Sequence, residues 1–248
     1  MIKLLQAIDK IGADYGQALI PIRNSLAKDA SRILGTAFFA HFEGHCYLVS
    51  ALHVLAKGGK KSYAYLDLNG RPFALGDKDF FYCAANDVGF FRVEGDFKLA
   101  TVGIPRIRVE RDLDELADSA QGVVVIGFPY LFRPDEIITA VPVSTWLETR
   151  SIHTTTKIAR AKVYWFNDDM LVSTDKMTRI YNLDAHGMSG GPAIAWFNRG
   201  SEAKPNLEAK LQAVLVQWHT SDGYLVGAKT ATLVELIDRT LKGKALFL

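Results

Sequence analysis

The chain has 248 residues, of which 49% are hydrophobic and 23% are charged, and its formal net charge at pH 7 is +2. These values are typical of an ordinary globular protein and exclude a disordered or fibrous chain. The small net charge and scattered basic residues also exclude the electrostatic footprint of a nucleic-acid-binding protein.

The N-terminal stretch resembles neither a signal peptide nor a membrane anchor. Its apolar positions are interrupted by Asp9 and Lys10, and no later run reaches the ~20 apolar residues of a membrane-spanning helix. We therefore expect a cytoplasmic protein that has no membrane partner. Two cysteines, Cys46 and Cys83, are expected to be free thiols in that compartment.

The predicted elements begin with a short amphipathic helix and continue as a long series of strands. Short runs rich in β-branched and aromatic residues, separated by turn residues, predict a barrel or a sandwich. In chain order these runs are ILGTAFFAH, HCYLVSAL, SYAYLDL, RPFAL, DFFYC, VGFFRV, GVVVIGF, ITAVPVSTW, KIARAKVYWF, MLVST, GPAIAWF, LQAVLVQW and GYLVGAKT. Hairpin turns are predicted at Phe42-Glu43-Gly44 and at Asn69-Gly70.

Two helix-prone segments divide this series and follow it. Residues 108–122 are charged and separate the strands into two groups. The second segment is amphipathic, with Thr230 or Thr232 as its possible cap, and carries on one face Leu233, Leu236, Ile237 and Leu241. The predicted organisation is an N-terminal extension at 1–25, a first β unit at 26–110, a connection at 111–121, a second β unit at 122–231 and a C-terminal helix at 232–248.

The stretch LDAHGMSGGPAIAW, residues 183–196, contains a candidate nucleophile. Ser189 stands among glycines, which suits either a catalytic loop or an inert tight turn. In a catalytic loop, Gly187 would let its own N–H and that of Ser189 face one concavity, where they could stabilise an oxyanion. Gly190 and Gly191 would leave room for a substrate backbone.

Two further residues provide the companions that a serine nucleophile needs, an imidazole base and an orienting carboxylate. His53 ends the apolar run YLVSAL, and Asp87 begins the strand-like run DVGFFRV. Each residue alone has an ordinary structural interpretation, as a strand-end histidine or a turn aspartate. Together, in the order His, Asp, Ser, they favour catalysis.

These motifs resemble those of the chymotrypsin-like, or trypsin-like, serine peptidases, particularly the bacterial branch that includes the HtrA-type proteases. GTAFFAHFEGHCYLVSALHVL is similar to the family's histidine hairpin, NDVGFFRV to its aspartate segment, HGMSGGPAI to its nucleophile loop and VVVIGFP to the strand that opens its second barrel. The resemblance implies an all-β fold of two six-stranded antiparallel β-barrels. It also implies that Ser189 is the nucleophile, His53 the base, Asp87 the orienting acid, and the amides of Gly187 and Ser189 the oxyanion hole.

Three positions depart from the family pattern. Met188 replaces the aspartate that pairs with a newly cut N-terminus in zymogen-type members, so activation by cleavage is not expected. Leu52 replaces a small residue before the histidine. Gln217 stands where many members carry a serine that supports the aspartate, which leaves the further hydrogen bonding of Asp87 open.

The resemblance places the walls of the pocket for the P1 side chain at 182–187, 217–219 and 225–228. The candidate pocket residues are Leu183, Asp184, His186, Gln217, Trp218 and His219. Leu183 stands where trypsin-type enzymes keep an acid, so a preference for Lys or Arg is not supported. His186 and His219 could favour acidic P1 residues, or His219 could narrow the pocket, or both could be ordinary surface histidines.

The remaining patterns indicate no cofactor. His41, His45 and Cys46 form the only close group of metal-ligating residues and lack a zinc-binding pattern, and no phosphate-binding glycine loop occurs. We therefore expect a protein or peptide substrate, with a separately encoded regulator possible, and no metal. The alternative is a catalytically silent peptide-binding module with the same fold.

Overall fold

The computed structural model describes residues 10–23, 33–56, 63–66, 71–75, 80–111, 122–128, 143–147, 153–154, 158–162, 187–200, 206–219 and 224–243. These residues form two sheets, one of eight strands and one of seven, in which nearly all neighbours are antiparallel. Within the described part of the chain, four helices accompany the sheets. The protein is therefore mostly β, as the sequence predicts.

The first sheet contains the strands that precede residue 110, in the spatial order β5-β4-β1-β2-β3-β7-β6, and β8 pairs in parallel with β2. Its strands are β1 (Leu19–Arg23), β2 (Ile33–Phe42), β3 (His45–Ala51), β4 (Tyr63–Leu66), β5 (Arg71–Ala74), β6 (Phe80–Cys83), β7 (Val88–Arg92) and β8 (Ile107–Arg108).

The second sheet follows in the order β10-β9-β13-β14-β15-β12-β11. Its strands are β9 (Gly122–Gly127), β10 (Val143–Leu147), β11 (His153–Thr154), β12 (Ile158–Lys162), β13 (Pro192–Asn198), β14 (Leu207–His219) and β15 (Tyr224–Lys229). The chain thus changes sheets at the predicted connection, of which residues 112–121 lie outside the described part. Closure of either sheet into a six-stranded barrel stays a prediction.

The helices are α1 (residues 10–16), α2 (Leu52–Leu55), α3 (Gly95–Ala100) and α4 (Thr230–Leu241), and a 3-10 turn covers Ala84–Asn86. Among the described residues, no helix has the length and apolar character required to cross a membrane. Two of these helices, α2 and α3, are absent from the sequence prediction because each is too short to show helical periodicity.

Both predicted hairpins are confirmed by strand pairing. Phe42 pairs with His45 across Glu43 and Gly44, whose φ angles of 47° and 83° suit a two-residue turn. Leu66 pairs with Arg71, although Asn69-Gly70 itself lies outside the described residues. The predicted strand MLVST also lies outside them.

The predicted N-terminal extension, residues 1–25, is corrected by β1, which lies between β4 and β2 and pairs with β2 from Leu19 to Arg23. All five residues of β1 are buried, so the first sheet begins at Leu19 rather than at residue 26. Pro21 hides this strand in the sequence because proline is rare inside sheets. It is tolerated here because pairing with β4 involves only Ile22 and Arg23.

The predicted caps of the C-terminal helix are also corrected. Lys229 is the N-cap of α4, and no side chain caps the helix. Thr230 instead donates its buried hydroxyl to the carbonyl of Leu211 on β14, at 2.9 Å. The hydroxyl therefore anchors the helix to the second sheet. Leu233 and Ile237 are fully buried, as predicted for the apolar face, but Leu241 is exposed.

Helix α1 and the turn after it contact both sheets. The hydroxyl of Tyr15 donates to the carbonyl of Ala209 on β14, and the amide of Phe39 on β2 donates to the carbonyl of Ala18. Burial raises the pKa of Tyr15. Nearby, Lys210 of β14 bonds Glu110, just after the first sheet, at 2.8 Å. The N-terminal segment therefore helps to hold the two sheets together.

Candidate active site

The loop around Ser189 turns sharply between the second sheet's strands. Gly187 and Gly190 have φ angles of 94° and 88°, which residues with a Cβ rarely adopt. The amide of Gly191 donates to the carbonyl of Met188 at 2.9 Å, and Gly190 and Gly191 each bond Leu215 of β14. The glycines thus form the turn that presents Ser189, whose side chain is half-buried.

The same loop is bonded to β2 of the first sheet through Thr36. The amide of Thr36 donates to the carbonyl of Ser189 at 2.8 Å, and its hydroxyl donates to the carbonyl of Gly187 at 2.7 Å. Met188 is buried. These contacts fix the candidate nucleophile against the sheet that carries His53 and Asp87.

Gly190 lies so close to the first sheet that no side chain fits. A Cβ at this position would overlap the hydroxyl of Ser50 and the carbonyl oxygen of Thr36. The hydroxyl of Ser50 in turn donates to that carbonyl at 2.6 Å. The glycine is therefore required both by its φ angle and by the direct contact of two backbones.

His53 lies on α2, the single helical turn that follows β3. Val54 and Leu55 beside it are buried and fix the turn, whereas the imidazole is 45% exposed. The exposed imidazole remains accessible to a substrate.

Asp87 ends the 3-10 turn and adopts a left-handed conformation, with a φ angle of 52°. Its Oδ1 accepts the backbone N–H of His53 at 2.9 Å, and its Oδ2 lies 2.5 Å from Nδ1 of the same residue. The carbonyl of Asp87 also accepts the amide of Leu52. Asp87 thus holds both the backbone and the ring of His53.

Gly35 shows that the serine loop and the histidine turn meet on one part of β2. A Cβ on Gly35 would lie 2.7 Å from the carbonyl oxygen of Ser189 and 2.7 Å from Cγ1 of Val54, the neighbour of His53. The structure therefore brings Ser189 to the region of the directly bonded pair of His53 and Asp87.

This arrangement has the elements of acyl-transfer chemistry. A carboxylate on Nδ1 favours the tautomer in which Nε2 is free to accept a proton from a hydroxyl. Among the described residues, no acceptor bonds the amides of Gly187 and Ser189, so both are able to donate to an oxyanion. Gln217 is exposed and makes no described hydrogen bond to Asp87, whose carboxylate bonds only His53 within the described chain.

The predicted pocket residues are described in part. Gln217, Trp218 and His219 lie at the end of β14, opposite Val226, Leu225 and Tyr224 of β15. Leu183, Asp184 and His186 lie outside the described residues, so the pocket assignment stays a prediction.

Thr36 and Ser50 are the site residues that the sequence did not identify. Both are fully buried hydroxyl residues of the first sheet. Their signal is weak: Gly35 and Thr36 are small residues inside a strand of mostly larger apolar side chains, and a glycine inside a strand indicates that another backbone approaches closely.

Comparison with known proteins shows the fold. No family model matches the chain, and no curated protein matches its sequence. The chain is similar to the structure of Rv3671c from M. tuberculosis H37Rv, a chymotrypsin-like serine protease solved as a serine-to-alanine mutant in an inactive form, with a TM-score of 0.53 and 14% identity over 97% of this chain and 95% of that one.

A second similar structure comes from work on Sesbania mosaic virus, on the coupled folding and binding of its intrinsically disordered VPg protein. Its TM-score is 0.52, with 11% identity over 89% of this chain and 90% of that chain. At these identities the comparisons show a likeness in fold alone, and they support the chymotrypsin-like protease fold.

Proposed function

We propose that the protein is a serine endopeptidase in which Ser189 attacks the scissile carbonyl, His53 takes and returns the proton, and Asp87 orients His53. The observation that carries this proposal is the pair of hydrogen bonds between Asp87 and His53, at 2.5 Å to the ring and 2.9 Å to the backbone. A carboxylate that fixes both the position and the tautomer of an exposed imidazole is the geometry of a general base.

The reaction follows from these groups. Attack by the Ser189 hydroxyl on the carbonyl carbon transfers its proton to Nε2 of His53 and places negative charge on the carbonyl oxygen, toward the amides of Gly187 and Ser189. His53 then protonates the leaving amine, which gives an acyl-enzyme on Ser189. Water, deprotonated by His53, releases the acid and restores the serine.

The finer features of the proposal rest on the sequence motifs. They are the closed double-barrel form of the fold, membership of the HtrA-like branch and a protein or peptide substrate. Met188 is buried and stands where zymogen-type members carry the aspartate that pairs with a newly cut N-terminus, so we propose that the enzyme needs no zymogen cleavage.

Labelling with a fluorophosphonate probe tests the proposal. The purified protein should be labelled at Ser189, and Ser189→Ala should abolish labelling while the circular dichroism spectrum stays unchanged. His53→Ala should slow labelling by about 10³-fold or more, because the hydroxyl loses its base.

Ser50→Ala is not a suitable control because Ser50 contacts the loop, whereas the hydroxyl of Thr240 bonds the carbonyl of Leu236 within α4, at 2.9 Å. Thr240→Ala should therefore leave labelling unchanged. A folded wild-type protein that is not labelled and cleaves no member of a peptide library would contradict the proposal and favour a silent peptide-binding module.

A further inference from the structure

The hydroxyl of Thr36 lies between two segments of the second sheet, although Thr36 belongs to the first. It donates to the carbonyl of Gly187 at 2.7 Å and accepts the amide of Phe128, just after β9, at 2.9 Å. The side chain is fully buried. Both hydrogen-bonding roles of the hydroxyl are therefore used, away from water.

Gly187 is a point of the loop at which such a contact restricts the backbone. Its φ angle of 94° lies where glycine moves freely, so the peptide groups on its two sides could rotate relative to each other. The carbonyl of Met188 is held by Gly191 and that of Ser189 by the Thr36 amide. Among the described residues, the Thr36 hydroxyl is the group that holds the carbonyl of Gly187.

We infer that Thr36 is a positioning residue, whose hydroxyl holds Gly187 and Ser189 so that their two amides face one oxyanion. This inference rests on the proposed serine peptidase function. Thr36 does not touch the substrate; it acts through Gly187. A displacement of about 1 Å in a reacting group can lower the rate about 10²-fold, and loss of one oxyanion donor costs about 10²–10³-fold.

The test compares Thr36→Val, which keeps the shape of the side chain but removes the hydroxyl, with Thr36→Ser, which keeps the hydroxyl. We expect Thr36→Val to lower kcat about 100-fold with less than a threefold change in KM, because substrate binding does not require the oxyanion hole. Its affinity for a peptide boronate, which forms a tetrahedral adduct on the serine, should fall in parallel. Thr36→Ser should stay within about threefold of the wild type in all three measurements.

Equal kcat in the wild type and Thr36→Val, or an equal loss in Thr36→Ser and Thr36→Val, would overturn the inference. If Thr36→Val fails to fold, Thr36→Ala replaces it with the same expected losses and the same overturning results.

Amide exchange separates a failure of this inference from a failure of the proposed function. The N–H of Phe128 loses its acceptor in Thr36→Val, so its hydrogen exchange should become at least about tenfold faster than in Thr36→Ser. This readout does not require activity. If the wild type is inactive but the two variants differ in exchange in this way, the peptidase proposal is contradicted and the positioning of the loop by Thr36 is kept. Equal exchange of the Phe128 amide in the two variants overturns the role of Thr36.

Discussion

Asp87 forms three hydrogen bonds with the turn that carries His53. Its two carboxylate oxygens bond the ring and the backbone of His53, and its carbonyl bonds the amide of Leu52. A left-handed aspartate is uncommon, and here the conformation turns the acid toward the histidine. The residue in the uncommon conformation, Asp87, is thus the one that we propose orients His53.

Asp87→Asn should therefore lower kcat by about 10⁴-fold while the protein stays folded, because an amide does not select the tautomer with a free Nε2. Steady-state kinetics on a peptide substrate would measure the change. Asp96→Asn, at an exposed position of α3, is the control and should retain wild-type activity. An active Asp87→Asn enzyme would remove Asp87 from the proposed mechanism.

Gly190 combines a positive φ angle with a close contact to the first sheet. Gly190→Ala should lower the free energy of unfolding by about 2–5 kcal/mol, because it adds left-handed strain to an overlap with Ser50 and Thr36. Gly44→Ala is the matched control, since Gly44 has a φ angle of 83° but no heavy atom within 4 Å of the added Cβ. Its cost should be about 1–2 kcal/mol.

Urea unfolding of the two variants measures both losses. The contact of the loop with β2 predicts a larger loss for Gly190→Ala, accompanied by slower labelling of Ser189. Equal losses in the two variants would show that strain alone, without the contact, sets the requirement for glycine.

At the scale of elements, Arg111 joins the β2–β3 turn to α4. Its guanidinium bonds Glu43 and forms a bidentate pair with Asp238, at 2.7 and 3.0 Å, above the ring of Phe42. The pair with Arg111 lowers the pKa of Asp238. Arg111 follows β8, and Asp238 lies within α4, so the contact ties the segment after the first sheet to the last described helix.

Asp238→Asn should lower the free energy of unfolding at pH 7 by up to about 1 kcal/mol, as for other exposed ion pairs. Because the folded pKa of Asp238 lies below its unfolded value near 4, the contribution is complete above pH 4 and is lost as pH falls through the folded pKa. The gap between wild type and variant should therefore close between pH 4 and the most acidic conditions. Unfolding midpoints measured by circular dichroism across this pH range would test the prediction. A stability gap between wild type and variant that persists in acid would contradict the assignment.

At the scale of the whole molecule, the two sheets share contacts through Thr36, Tyr15 and Lys210 and should unfold together. All four tryptophans lie in the second half, at 146, 165, 196 and 218, so their fluorescence reports the second unit. Ile22→Ala, at a fully buried position of β1 in the first sheet, should destabilise the protein by about 2–5 kcal/mol. We expect tryptophan fluorescence and far-ultraviolet circular dichroism to show the same lowered midpoint.

The exposed Leu99 provides the control, because Leu99→Ala at 72% exposure should change stability by less than about 0.5 kcal/mol. Two separate transitions, with only one shifted by Ile22→Ala, would show that the sheets unfold independently.

The sequence alone predicted what local patterns encode. Alternation of apolar residues predicted strands such as β2, β3 and β7, and turn chemistry predicted the hairpin at Glu43-Gly44. The order of His53, Asp87 and Ser189 indicated a candidate site. The prediction that Thr230 or Thr232 caps α4 was wrong. The hydroxyl of Thr230 has a partner on β14 instead, a contact that the sequence around residue 230 does not encode.

Only the tertiary structure decided which segments meet. It placed β1 inside the first sheet despite Pro21, paired the ring of His53 with Asp87 at 2.5 Å, and bonded Thr36 to Gly187 across 151 residues of sequence. These contacts depend on strand register and on the docking of one sheet against another. Such contacts form between distant residues, so no periodicity or turn signal within either segment determines them.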